Sequence, residues 1–171
     1  MKRALIILLF PLLAGFSGGN IRARYEVCYS PKGGCTRMIT NFIDSAKPKK
    51  SILMMAYVLT SDIISNSLIK AKQRGVNVTI LVDKNAPLAR GADAKRLSDV
   101  GIEVLVDKKH PISHSKSIII GNAVQTGSFN YSSAAEYSNQ ENALILYSVP
   151  KISKNYRDFF ESHRLHSFKL E

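Results

Sequence analysis

The chain has 171 residues, 45% of them hydrophobic, which excludes a disordered or low-complexity polypeptide and fits one domain with a real core. It carries 24 Lys and Arg against 13 Asp and Glu, a formal charge of +11. That excess argues for polyanionic partners, either nucleic acid or anionic lipid headgroups.

Lys2-Arg3, the apolar run Ala4–Phe16 and the small residues up to Gly19 have the form of a secretory signal peptide over residues 1–19. The run of thirteen residues is short for a bilayer span, and Pro11 disfavours a membrane helix. The expected destination is the periplasm or outer envelope, and an uncleaved segment would serve as a membrane tether. Without Lys2 and Arg3, 22 basic residues face 13 acidic ones, so the domain over residues 20–171 stays strongly basic. Arg24–Tyr29 reads as a strand entering a turn flanked by Cys28 and Cys35, the only two cysteines. In an oxidising compartment they are expected to pair; two reduced thiols are the competing reading, and a metal site is disfavoured because two thiolates without neighbouring ligands hold zinc poorly.

Thr36–Ala46 has apolar residues at helical spacing, and Lys47-Pro48-Lys49-Lys50 makes a basic corner after it. Ser51–Val58 reads as a buried strand. Ser61 can cap the next helix, with Ile63, Ile64, Leu68 and Ala71 inward and Gly75 as its stop. A strand over Val76–Val82, a helix over Gly91–Val100 with Leu97 and Val100 inward, and a strand over Ile102–Val106 follow. Further strands are expected around His114–Ile120, Ala123–Thr126 and Ala143–Tyr147. From Pro150 the aromatic residues Tyr156, Phe159 and Phe160 predict a helix docking on the domain. Strands alternating with helices make this an α/β fold, with a mixed, mainly parallel central sheet flanked by helices.

The chemistry concentrates late in this order. On a strand, His114 and Lys116 point to one face, which sets an imidazole beside a fixed positive charge. Gly127-Ser128 permits a tight turn whose amides can face an anion. Spacing alone fits a surface His and Lys on an edge strand equally well. Lys84, Arg90, Lys108 and Lys109 lie in loops where a phosphate backbone could track. His110, His163 and His166 fall outside this group. The i, i+3 spacing of His163 and His166 reads as a basic surface helix rather than a metal site, and there is no paired-carboxylate or His-Glu-x-x-His signature.

His114-x-Lys116, the aliphatic run after it, Gly127-Ser128-x-Asn130 and Glu141-Asn142 together resemble the HKD motif of the phospholipase D superfamily, closest to its small single-motif bacterial endonucleases. Tyr29-Ser30-Pro31, Met54–Tyr57 and the Lys72–Val82 segment extend the likeness over about Arg24–Tyr147. One departure stands out: the Asp that the motif places five residues after the Lys is Gly121 here. The resemblance implies an endonuclease that hydrolyses phosphodiester bonds without a metal or other cofactor. It implies His114 as nucleophile, Lys116, Ser128 and Asn130 around the phosphate, and Glu141 orienting the imidazole. One motif per chain implies a homodimer with a shared site. Two other functions fit the same resemblance: a phospholipase or phosphatidyltransferase, and a non-catalytic envelope protein that binds nucleic acid.

Overall fold

A computed structural model describes residues 23–171; the segment read as a signal peptide lies outside the described residues. Eight strands form one sheet in the order β1-β7-β6-β5-β2-β3-β4-β8. They are β1 (Arg24–Tyr29), β2 (Ser51–Ala56), β3 (Asn77–Asp83), β4 (Glu103–Asp107), β5 (Lys116–Ile120), β6 (Ala123–Gly127), β7 (Asn142–Tyr147) and β8 (Phe168–Lys169). The helices are α1 (Cys35–Asp44), α2 (Asp62–Gln73), α3 (Ala94–Asp99), α4 (Ser133–Tyr137) and α5 (Pro150–Arg164).

The mixed, helix-flanked sheet matches the sequence reading, but its balance differs. Only β2–β3 and β3–β4 pair in parallel, and the other five pairings are antiparallel. The reason lies in the connections. Helical crossovers α2 and α3 return the chain in the same direction, whereas a two-residue turn reverses it between β5 and β6, and the longer connection through α4 reverses it again between β6 and β7.

Strand alternation divides the core between two faces. Ile52, Met54, Val78, Ile80, Val104 and Ile118 meet Ile39, Phe42 and Ile43 of α1, Ile64 and Leu68 of α2, and Leu97 of α3. Leu53, Met55, Leu81, Leu105, Ile119 and Val124 meet Phe160 of α5. Both faces are covered, which is why Ser51–Ala56 reads as a continuous apolar run. The Ser61 hydroxyl accepts from the Ile64 amide at 3.5 Å and caps α2 as expected. Two residues assigned inward are not: Ile63 is 57% exposed and Val100 is 45% exposed, each beside the helix stripe that meets the sheet.

Gly121, the departure from the motif, starts the two-residue turn that joins Ile120 of β5 to Ala123 of β6, with φ +56°. A first turn residue at positive φ is what such hairpins use, and glycine adopts it freely. It sits just past the end of β5 opposite Lys116, about 16 Å away at the rise of a strand. Its effect falls on the hairpin and not on the site.

Cys28 and Cys35 are joined in a disulfide, with Cα atoms 5.4 Å apart, tying β1 to the first residue of α1. Both are buried. Closing so short a loop stabilises a domain by roughly 2–3 kcal/mol. Cys28→Ala/Cys35→Ala is therefore expected to lower the melting midpoint by roughly 4–12 °C in thermal denaturation, and an unchanged midpoint would show that the bond constrains little.

Candidate active site

The motif residues gather at one edge of the sheet, and strand direction explains why. The parallel strands β2, β3 and β4 end together. β5 runs antiparallel to β2 with Lys116 opposite Ala56, so β5 begins where β2 ends. β6 then brings Gly127 back to that edge, opposite Ala143 near the start of β7. His114, Lys116, Ser128, Asn130 and Glu141 thus arrive from three strand ends. The carboxyl ends of parallel strands are the usual place for ligands in α/β sheets.

His114 precedes β5 rather than lying on it, and it is exposed. Strand alternation therefore does not bring it to Lys116; a direct contact does. Lys116 Nζ lies 2.9 Å from His114 Nδ1 and donates to the His114 carbonyl at 2.7 Å. The Tyr57 ring packs against the imidazole, with centroids 4.4 Å apart, and lies 4.9 Å from the ammonium. Lys116 is only 6% exposed. Burial pushes its pKa down to about 8, while the charge of Glu141 acts in the opposite sense.

Two buried carboxylates hold the loop that carries His114. Asp83, at the end of β3, accepts the Ser113 amide at 2.7 Å and the Asn85 amide at 2.8 Å. Asp107, at the end of β4, accepts the Lys109 amide at 2.9 Å and contacts His110 Nδ1 at 2.8 Å. Burial opposes ionisation of Asp107, but these hydrogen bonds and the His110 amide outweigh it and hold its carboxyl below the ordinary value. The sequence reading did not single out either residue. A signal was there: Leu-Val-Asp closes both strands, and an acid ending an apolar strand must find partners.

Gly127 allows β6 and β7 to approach closely. A Cβ at this position would lie 2.3 Å from the Asn142 carbonyl oxygen. That same carbonyl accepts the Ser128 and Phe129 amides, both at 3.1 Å, and the Ser128 hydroxyl accepts the Asn142 amide at 3.1 Å. The turn is therefore braced from both sides, with Ser128 exposed at its tip. Asn130 Oδ1 is buried and has no hydrogen-bond partner among the described residues. The Glu141 carboxylate accepts from the Asn139 side-chain Nδ2 at 3.2 Å. Its link to the histidine–lysine pair is electrostatic, through Lys116, and no hydrogen bond joins it to His114 among the described residues.

A cavity of about 440 Å³ opens beside the pair, with His114, Lys116 and Thr126 on the sheet side and Asn155, Tyr156 and Phe159 of α5 opposite. The Tyr156 hydroxyl donates to Thr126 Oγ1 at 3.0 Å, which fixes that wall. This contribution of α5 was not legible beforehand, since its aromatic spacing signals docking without saying where. Lys84 and Lys108 follow β3 and β4 at the same edge, but they line a second hollow of about 650 Å³ with Phe168. Arg90 and Lys109 are exposed and line neither hollow. An accessible imidazole held by a buried ammonium, with a serine turn alongside, can attack or protonate at a tetrahedral anion.

Comparison with known proteins places this geometry. The family model described as cardiolipin synthase, PLD-like domain matches residues 39–164. The crystal structure of a phospholipase D family member, Nuc from Salmonella typhimurium, is 35% identical, with a TM-score of 0.82 over 88% of this chain and 99% of that one. A phospholipase D of Rickettsia felis is 39% identical over 127 residues, and a mitochondrial cardiolipin hydrolase of Chlamydomonas reinhardtii is 28% identical over 146. The matched segments cover 74% and 84% of this chain but only 62% and 63% of those relatives.

The Lys116 environment sets a pH dependence. Its charged form prevails below about pH 8 and is lost above it, so kcat/KM on a simple phosphodiester such as bis(p-nitrophenyl) phosphate is expected to fall through an alkaline limb near that value. Lys116→Arg, always charged, is expected to be slower but to lack the limb. An alkaline limb of the same midpoint in Lys116→Arg would assign it to another group.

Proposed function

The chain belongs to the phospholipase D-like family of phosphodiesterases, and from that premise we propose that it is an exported, metal-independent endonuclease acting on DNA or RNA at a site shared by two copies. The observation that carries this reading is the Lys116–His114 contact at an open, basic sheet edge in a chain with a single copy of the motif. Lys84, Lys108 and Lys109 extend positive charge along that edge from the ends of β3 and β4. A polyphosphate backbone lying across the strand ends would meet them in turn.

Phosphodiester hydrolysis needs one group to attack phosphorus and another to protonate the leaving oxygen. One His114 supplies only one of these at a time. In an isologous dimer the second comes from the partner's copy of the same residue. Nε2 of one His114 attacks phosphorus, a P–N bond forms, and the P–O bond to the leaving alkoxide breaks as the other imidazole gives up its proton. That second imidazole then takes a proton from water, which attacks phosphorus and releases the histidine. Lys116, Ser128 and Asn130 hold the nonbridging oxygens as charge builds on them.

The contact seen in the chain fits the acid of the pair. A charged Lys116 donates to Nδ1 and leaves the ring proton on Nε2; as Nε2–H passes to the leaving oxygen, Nδ1 takes a proton from the ammonium, so the ring stays neutral. The attacking ring needs the opposite tautomer, with Nδ1–H on an acceptor. Glu141, whose charge reaches this pair, is the carboxylate assigned to that role.

A second reading has its own support. Tyr156 and Phe159 give the cavity an apolar wall beside His114, and Phe159 is 46% exposed. Such a wall suits the glycerol and acyl portion of a phosphatidyl lipid. The deciding experiment incubates the purified protein with plasmid DNA, single-stranded DNA, RNA and phosphatidyl-lipid vesicles, each with excess EDTA, well below its melting midpoint. Cleavage of nucleic acid, lost by at least ~10³-fold in His114→Ala with DNA binding retained, is the expected result. Cleavage of lipid alone would transfer the assignment to the lipid reading. Undiminished turnover by His114→Ala would remove the site assignment altogether.

A further inference from the structure

We propose that Asp107, His110, His163 and His166 form a binding site for a divalent cation of the zinc type, which clamps the His114 loop to the C-terminal helix. The sequence separates these residues into two groups, and the topology brings them together. Asp107 ends β4 and His110 follows in the loop toward His114. His163 lies in the last turn of α5 and His166 just beyond it. β8 then pairs antiparallel with β4, with Phe168 opposite Val106, so the chain leaving α5 folds back beside Asp107.

The four residues each offer one ligand atom, and these atoms all lie within 4.8 Å of one another. The imidazole centroids are 4.9, 5.2 and 5.3 Å apart. A tetrahedral ion with metal–nitrogen bonds of about 2.0–2.1 Å sets its ligand atoms about 3.3 Å apart. Closing the longest separation takes roughly 1.5 Å of side-chain movement, a distance that imidazoles on a helix end and a loop cover by rotation.

Donor chemistry narrows the ion. Three imidazoles and one carboxylate suit zinc and its neighbours, whereas magnesium and calcium want oxygen donors. Both cysteines are engaged in the disulfide and do not compete. Four protein ligands would close the coordination shell, as structural zinc sites do.

Two details point to a ligand rather than to a chance group of surface histidines. His163 Nδ1 lies 2.8 Å from the Phe159 carbonyl, so it donates there and leaves the Nε2 lone pair free. His166 Nε2 is buried and has no hydrogen-bond partner among the described residues; its nearest acid oxygen, on Asp107, is 3.6 Å away. The Asp107–His110 hydrogen bond alone accounts for one imidazole of the three and leaves that nitrogen without a partner. A bound cation satisfies it.

The clamp would act on the architecture of the active site without entering its chemistry. Phe159, a wall residue of the His114 cavity, packs against His163 with ring centroids 4.2 Å apart. The loop that holds His110 continues four residues on to His114. An ion at this junction joins floor to wall.

The test reads binding and melting, not turnover, so it stands apart from the choice of substrate. The metal-stripped full chain is titrated with zinc by calorimetry and with cobalt by visible absorption. One equivalent bound with micromolar or better affinity, the absorption of a tetrahedral cobalt centre and a rise in melting midpoint are the expected results. His163→Ala/His166→Ala is expected to weaken binding at least ~100-fold and to abolish the zinc-dependent rise, while His114→Ala keeps one equivalent. No stoichiometric binding by the unsubstituted chain overturns the proposal, and that outcome is readable even if the double variant fails to fold. Binding unchanged in the double variant, or lost in His114→Ala, overturns it as well.

Discussion

The antiparallel pairing of β5 with β2 is the constraint on which the site depends. It places Lys116 opposite Ala56 at the carboxyl end of the parallel strands, beside the ends of β3 and β4. Ile118 and Ile119 face the two separate cores, so a shift of one residue would exchange them and is strongly disfavoured. The register therefore fixes where the ammonium stands, and the ammonium fixes the imidazole through its contacts with His114. Burying that lysine costs free energy, as its lowered pKa of about 8 records. The histidine carbonyl, its ring nitrogen and the Tyr57 face offset part of the cost.

Much of this was legible in the sequence. The β1 strand is found at Arg24–Tyr29 as read, the Ser61 cap holds α2, and the Cys28–Cys35 bond closes its loop. Each rests on local chemistry: alternation, a hydroxyl before an apolar stripe, and two cysteines with no other partner. The misreadings concern what the tertiary fold decides. Antiparallel pairing of β5, β6 and β7 depends on the turn between β5 and β6 and on the path through α4, which hydrophobic periodicity does not report. The short α4 and the two-residue β8 carry too few residues for a periodic signal.

The site shows the same division. The motif residues could be named in advance because their types and spacing are distinctive. Asp83 and Asp107 could not, because their importance lies in accepting loop amides that only the folded chain brings to them. Nor could the cluster of His110 with His163 and His166, since more than fifty residues separate His110 from the other two until β8 folds back on β4. Gly121, the apparent defect in the motif, turns out to belong to a hairpin at the far end of β5, where a glycine at positive φ suits the turn. The two buried carboxylates and the proposed cation clamp act on one loop, the segment that presents His114. An imidazole on an exposed loop needs such support if it is to act as proposed, because a small displacement of the ring degrades both attack and proton transfer.

The proposed mechanism makes the chain half of a catalytic centre, with both imidazoles needed for one bond cleavage. Mixed dimers test this most directly. Differently tagged wild-type and His114→Ala chains are produced together, the mixed species is isolated through both tags, and turnover is measured per dimer on the substrate that the wild type cleaves. The account predicts that one lost His114 disables the shared site, with activity at least ~10²-fold below the wild-type dimer. A mixed dimer retaining half of wild-type activity, or a fully active monomer, would contradict it.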